Sequence, residues 1–393
     1  MHTAVSPDQI SAIAEPALTK RFAPAPAHAV PLRPVSVVHI DTERGWRGGE
    51  RQVLWLADSL VRSGNRCVIA ARPGEPLAQR ALACGLRVLP CAPRWEFDPV
   101  AAIALARFIR REQIEIVHAH TAHAASIALL CARDAKVVIT RRVDFRVHRH
   151  WISRLKYRRA TAIIAISGAV AESLVASGID RAQIQIIPSG VDLSRCITRS
   201  DSHSLHLLGI PEGAPLVVMV AALARHKDPL TFVLAMRNVL ERAPATHALL
   251  IGDGPLRHTV ESAIKRLGLE SNVHLAGYRR DAESLMAAAD VVALSSANEG
   301  LGTVLIDALW MGKAVAATSA GGIPEIVQHE RSGLLSPPGN SAALGAAIAR
   351  LIGDSALRTR FASAGRARAA AFSVERTATR TALVYQKVTA NGA

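Results

Sequence analysis

The stretch richest in chemistry is Ser295-Ser296-Ala297-Asn298-Glu299-Gly300-Leu301-Gly302-Thr303-Val304-Leu305-Ile306-Asp307-Ala308-Leu309. Glu299 stands in a loop after an apolar run, glycines open a helical pattern, and Asp307 lies within that helix. Bare backbone amides at a helix N-terminus attract anions, and a carboxylate beside them accepts hydrogen bonds from hydroxyls. Amides for phosphate and an acid for hydroxyls outline a nucleotide-sugar site; a loop acid and a solvated helix acid would give the same letters. Arg225-His226-Lys227-Asp228-Pro229 also lies between a strand pattern and a helix pattern. Arg225 and Lys227 could neutralise a diphosphate there, and simple exposure of two basic residues is the equal alternative.

In the first half, His39-Ile40-Asp41 leads through Arg44-Gly45-Trp46-Arg47 to Gly48-Gly49-Glu50 and a helical run from Arg51 to Val61. Gly48 and Gly49 allow a backbone to approach an anion without Cβ obstruction, although a tight turn needs no ligand. The spacing is not GxGxxG and no acid ends the next strand (Ala70, Ala71, Arg72), which disfavours a nicotinamide cofactor. Further on, Ile114-Glu115-Ile116-Val117-His118-Ala119-His120 reads as a strand. His118 within it is expected to be a satisfied core histidine, and His120 just past its end to face a ligand. The HxH pair suggests a metal, but Glu115 falls on the opposite strand face and spacing supplies no third ligand, so none is assigned.

These residues need strand ends to hold them. Short β-rich runs alternate with Ala/Leu-rich helical patterns from about residue 35, the mark of βαβ units and a buried parallel sheet. The expected class is α/β with two facing Rossmann-like doubly wound domains. Strands are expected at 35–40, 67–71, 114–118, 136–140, 162–166 and 183–187, then 216–221, 247–251, 273–276, 291–294, 314–317 and 333–335. The expected organisation is a disordered leader over 1–34, an N-terminal domain over 35–192, and a C-terminal domain over 193–372. A helix over 373–390 is expected to pack back on the first domain. Ligands of such sheets bind beyond the carboxyl ends of the strands, so facing domains form a cleft.

Composition limits the partners. The chain has 393 residues, 47 Lys plus Arg against 32 Asp plus Glu, and a net charge of +15. Mean hydropathy is +0.20, which offsets chain entropy and excludes a disordered basic tail. Arg outnumbers Lys 40 to 7, and Arg grips phosphate with a permanently charged planar fork. Residues 1–197 hold 27 basic and 16 acidic groups (+11), against 20 and 16 (+4) in 198–393. Much of that surplus lies in 141–159, where Arg141, Arg142, Arg146, Arg149 and Arg154 alternate with Phe145, Trp151 and Tyr157. The segment suits a phosphorylated acceptor, an anionic lipid surface or a plain solvated face. The longest apolar run, Leu216 to Ala224, is too short to span a bilayer, and residues 1–34 do not read as a secretory signal. Five cysteines at unpatterned spacings read as small core residues in a reducing cytosol.

Taken in order, Gly48-Gly49-Glu50, the His120 strand end, Lys227 in its basic loop, the Glu299/Asp307 pair and Gly321-Gly322-Ile323-Pro324-Glu325 carry a resemblance. Over about residues 35–390 the chain resembles the retaining GT-B glycosyltransferases of family 4 (glycosyl transferases group 1). The resemblance implies a nucleotide diphosphate sugar donor held by the second domain and an acceptor held by the first. It implies Lys227, Arg225 and the amides of Gly300, Leu301 and Gly302 at the diphosphate, Glu299 at the sugar hydroxyls and Asp307 at the ribose. Gly48 and Gly49 would close over the diphosphate, and His120 would reach the transferred sugar. Asp307 is one methylene shorter than the family's usual Glu, and Ala222 stands where many members carry Arg. No DxD motif is present, so front-face transfer without cofactor or metal is expected. The implied acceptor is an anionic cell-envelope glycan or lipid-linked molecule, met in a bacterial cytoplasm or at the inner face of its membrane. A nucleotide-sugar epimerase of similar fold is the alternative; a nucleic-acid-binding protein has only the basic charge in its favour.

Overall fold

The computed structural model describes residues 33–144, 151–195 and 202–390. These form two α/β units, one of residues up to Asp192 and from Phe372 onward, the other of Leu193–Ala371. The first unit is built on a seven-stranded parallel sheet of order β3-β2-β1-β4-β5-β6-β7. Its strands are β1 Ser36–Ile40, β2 Arg66–Ala71, β3 Arg87–Pro90, β4 Ile116–Ala119, β5 Lys136–Arg141, β6 Ala162–Ala165 and β7 Ile184–Ile186. The second carries a six-stranded parallel sheet, β10-β9-β8-β11-β12-β13. Its strands are β8 Leu216–Val220, β9 His247–Ile251, β10 Val273–Gly277, β11 Val291–Leu294, β12 Ala314–Thr318 and β13 Leu334–Ser336. β3 was not expected from the sequence: Arg87-Val88-Leu89-Pro90 is a partly exposed edge strand, without the apolar run that marks a central one.

Central strands are buried on both faces, which is why Val37, Val38, Ile116, Val117, Val217 and Val218 follow one another without polar alternation. One face of the first sheet packs on the helices Gly48–Arg62 and Pro76–Ala83 and on the last helix, Val374–Ala390. Ala378, Ala382, Tyr385 and Val388 of that last helix join Val37, Ile116, Val138 and Ile164 in one core. The chain re-enters this unit beside β7, where Val191 N–H donates to Phe372 O (2.8 Å) and Val374 N–H to Val191 O (3.0 Å). Gly190 is required at this crossing, because a Cβ there would stand 2.5 Å from Ser373 O. Cys67, Cys91 and Cys131 are buried as expected of core residues, whereas Cys84 at a helix end is exposed. No described helix is long and apolar enough to cross a membrane.

Candidate active site

Each sheet changes direction of strand addition next to its first strand. In the first unit β1 lies between β2 and β4, and in the second β8 lies between β9 and β11. Loops leaving the carboxyl ends of such neighbours diverge and leave a crevice, the general ligand position of doubly wound sheets. Those four strand ends carry Asp41–Gly49, His120, Ala221–Asp228 and Ser295–Gly302.

In the second unit the loops after β8 and β11 are joined. Lys227 in the 3-10 turn Arg225–Lys227 forms an ion pair with the Glu299 carboxylate. The same Oε2 accepts from Ser296 Oγ (3.0 Å). The amides of Ala297 and Asn298 both donate to His226 O, at 2.9 and 3.2 Å, and Ser295 Oγ donates to Asp228 O at 2.7 Å. Asp228 adopts a left-handed conformation (φ 44°) that L-residues reach at some cost. Its side chain caps the helix Pro229–Leu240 by accepting from Thr231 N (3.3 Å) and Oγ1 (2.6 Å), so the turn holding Lys227 is held from both ends. Glu299 O accepts from Gly322 N (2.9 Å), which ties this loop to the glycine turn after β12.

Gly300, Leu301 and Gly302 are buried and lead into the helix Thr303–Trp310. Gly302 caps that helix with φ 87°, and a Cβ on it would meet Ile323 Cγ1 at 3.4 Å and Glu299 Cγ at 3.5 Å. Asp307 sits half-buried one turn inside. Arg225, by contrast, is exposed. A cation, a carboxylate and a helix N-terminus are therefore brought together, which is the set that binds a diphosphate and a hydroxyl-rich group side by side.

The first unit gathers a second cluster. His39 is the register partner of His118 in the β1/β4 pairing. Side chains repeat every second residue, so Asp41, His120, Thr140 and Arg142 fall on the same face as these two. His118 is satisfied as expected, with Nδ1 against Tyr385 Oη (2.5 Å) and Nε2 against Thr140 Oγ1 (2.6 Å). His120 Nδ1 accepts from Arg142 (3.1 Å), and its Nε2 meets His39 Nδ1 at 3.0 Å. Arginine can only donate, so neutral His120 carries its proton on Nε2 and donates it to His39, whose own proton is then on Nε2. That last nitrogen is buried without a partner among the described residues.

Burial, with the Arg142 guanidinium adding to it, pushes His39 down to about 3, and His118 and His120 also lie well below the ordinary histidine value. Burial raises the Asp41 carboxyl to about 7 and lowers Arg142 to about 10, with Asp41 and Glu50 opposing the latter change. The third imidazole that spacing did not supply comes from β1: the nitrogens of His39, His118 and His120 converge within 4.8 Å. Three imidazoles are a metal set in outline. Five of their six nitrogens are nevertheless hydrogen-bonded to protein groups, and the adjacent guanidinium opposes a dication.

Arg142, expected on a surface for acceptor or membrane, instead turns inward to His120 and to Ser189 Oγ (3.2 Å), with its Nε cut off from solvent. Its Cδ lies 3.9 Å from where a Cβ on Gly49 would stand, while the space at Gly48 is open. Arg141 bonds the Tyr157 hydroxyl (3.0 Å), and Lys156 is buried against Glu96. Arg146 and Arg149 lie outside the described residues, as do the side chains of Trp151 and Arg154 in the helix Trp151–Arg158. Sequence reasoning missed His39, Asp41, Ser189 and Tyr385. A signal was present in His39-x-Asp41, His118-x-His120 and Thr140-x-Arg142, three polar i, i+2 pairs at three strand ends.

Two family models match the chain: "Glycosyl transferases group 1" over residues 206–368 and "Glycosyltransferase Family 4" over 46–195. The fold is the GT-B fold of two Rossmann-like domains, and the chain belongs to the group 1, family 4 glycosyltransferases. It is similar to 2-deoxystreptamine N-acetyl-D-glucosaminyltransferase of Streptomyces fradiae, with 30% identity over 236 residues, 58% of this chain and 56% of that protein. It is also similar to the lipopolysaccharide core biosynthesis glycosyltransferase LpsE of Rhizobium meliloti, with 28% identity over 214 residues, 54% and 60% of the two chains. The matched stretches thus span little more than half the length of these curated relatives. Among solved structures, Anabaena HepE in complex with UDP and glucose superposes with a TM-score of 0.78 at 22% identity, covering 89% of this chain and 99% of that one.

Proposed function

We propose that the protein transfers a sugar from a nucleotide diphosphate sugar, a UDP-hexose first among candidates, to a cell-envelope glycan or lipid-linked acceptor. The observation that carries the reading is the Lys227–Glu299 ion pair beside the left-handed Gly302 that opens a helix. In this proposal the C-terminal unit (193–372) binds the donor and the N-terminal unit (35–192 with 373–390) the acceptor. Lys227, assisted by Arg225, and the amides of Gly300, Leu301 and Gly302 take the diphosphate. Glu299 accepts from the sugar hydroxyls and Asp307 from the ribose. Charge developing on the departing diphosphate is stabilised by groups already fixed in place, which is commonly the largest catalytic contribution.

Gly48 and Gly49 approach the diphosphate, and His120 orients the transferred sugar. Both His120 nitrogens are engaged by Arg142 and His39, so contact with the sugar exchanges one of these bonds. Retention of configuration follows if the leaving phosphate itself deprotonates the acceptor on the front face, with no protein carboxylate forming a covalent adduct. Lys227 and the helix amides take the place of a metal. Transfer is favoured over epimerisation by the two family matches and by the name of the lipopolysaccharide-core relative. A cytoplasmic site of action at the inner membrane face fits such an acceptor. A thermal-shift panel of UDP-, GDP- and ADP-sugars tests the donor, since a ligand at about 100 times its Kd adds about 2.7 kcal/mol. Absence of any shift across the panel sinks the proposal.

A further inference from the structure

The helix Pro99–Arg111 of the N-terminal unit buries one face and exposes another of unusual composition. Ala102, Leu105, Phe108 and Ile109 are buried. Val100, Ile103, Ala104, Arg107, Arg110 and Arg111 recur at helical spacing on the outer side and are exposed. Val100 is 75% exposed and Ile103 53%, and just before the helix Trp95 is 59% and Phe97 41% exposed. Single exposed apolar residues are ordinary, but four large ones within nine positions form a patch that marks an interaction surface.

The rim of this patch is basic. Arg94 precedes it, and Arg107, Arg110 and Arg111 continue the exposed stripe. Neighbouring acids are already committed. Asp98 caps the helix, Glu96 holds Lys156 and Ser126, and Glu112 pairs with Arg87 and Arg111. A cavity of about 300 Å³ opens at the same place, lined by Leu89, Trp95, Val100, Ala101 and Leu105 with Arg94 at its edge.

We propose that this face docks on an anionic lipid bilayer. Trp95, Phe97, Val100 and Ile103 enter the interfacial layer, and the arginines face headgroup phosphates. A second copy of the chain fits less well, because a symmetric contact would bring two copies of the same basic rim together. The patch follows the carboxyl end of β3, at the same end of the parallel sheet as the carboxyl ends of β1 and β4 that lead to Gly48 and His120. A membrane-borne acceptor would therefore arrive beside the candidate site; in this respect the inference rests on the proposed transfer to a lipid-linked acceptor. It adds residues 94–111 to the candidate surface in 141–159, where Arg142, Lys156 and Tyr157 turn inward while Arg146, Arg149 and the side chains of Trp151 and Arg154 lie outside the described residues.

The test uses the full-length protein with phosphatidylcholine vesicles, with and without phosphatidylglycerol, in a flotation assay. Binding is expected only with the anionic lipid and should weaken with salt. Neutralising an arginine lowers partitioning roughly fivefold, so R94Q/R107Q/R110Q together lower it about 100-fold. Trp95→Ser with Ile103→Ser should abolish it, whereas R158Q/R159Q, exposed at the end of the helix Trp151–Arg158 and in the turn after it, should not. UDP-induced thermal shifts are read in every variant: their persistence shows folded protein, and their absence even in the unaltered chain would strike the transfer reading instead. Undiminished flotation of the triple variant overturns this proposal. So does a failure of the unaltered chain to float, or a self-association lost in the serine variant without vesicle binding.

Discussion

Acidification should unfold the N-terminal unit through its buried histidines. His39, His118 and His120 are held neutral in the fold by burial, yet in the unfolded chain each titrates near 6.5. Below that value the unfolded state binds more protons than the folded one, so stability falls as pH falls, down to about 3 for His39. Asp41 has the opposite sign. Its carboxyl is raised to about 7, so between the ordinary carboxylate value and 7 the folded state holds the extra proton and gains stability on acidification. Each group changes stability by at most about 1.4 kcal/mol per pH unit, so three histidines against one aspartate leave a net loss of roughly 2–3 kcal/mol per unit. Over pH 6 to 5 that is a large part of a total of about 5–15 kcal/mol. Four of the five tryptophans (Trp46, Trp55, Trp95, Trp151) belong to this unit, so their fluorescence in urea titrations at stepped pH reports it. Nitrogen-15 spectra of the imidazoles should show His120 protonated on Nε2 alone. A stability independent of pH between 6 and 5, or any of the three rings protonating near 6.5 in intact protein, would refute the reasoning.

Lys227→Ala and Glu299→Ala should each lower sugar transfer by at least ~100-fold, the scale of losing one electrostatic catalytic group; near-normal turnover of either purified variant removes that residue from the site. Transfer should persist in EDTA, and a loss restored by added metal would contradict the metal-free mechanism. Gly302→Ala should destabilise the C-terminal unit by about 1–2 kcal/mol through its positive φ, seen as a lowered Tm with weakened UDP-sugar binding. Gly190→Ala should cost about 1–3 kcal/mol, because its Cβ would collide with the Ser373 backbone; an unchanged urea midpoint would show that the crossing yields freely.

How far the molecule was legible depends on how local each signal is. Central strands such as Val291–Leu294 and Ala162–Ala165 announce themselves as apolar runs, because burial on both faces demands it. The edge strand Arg87–Pro90 lacked that demand and went unread. Gly302 and the Glu299 loop were readable because a left-handed helix cap imposes glycine within a few residues of sequence. The inward turn of Arg142 was not legible, because composition around it suggested a surface and only the strand register brings its guanidinium toward His120.

By itself, the sequence determined the alternation of strands and helices, the glycine turns, the basic surplus and the order of markers that carries the family resemblance. These are properties of short windows and of composition, where periodicity and backbone sterics act. Tertiary structure alone decided which polar ends meet. It closed Lys227 onto Glu299 across 72 positions, set His39 beside His118, brought Tyr385 back to His118, and turned Trp95, Val100 and Ile103 outward. The physical reason is that a parallel sheet pairs strands through long crossovers, so contact partners are chosen by register and strand order, which no short window of residues contains.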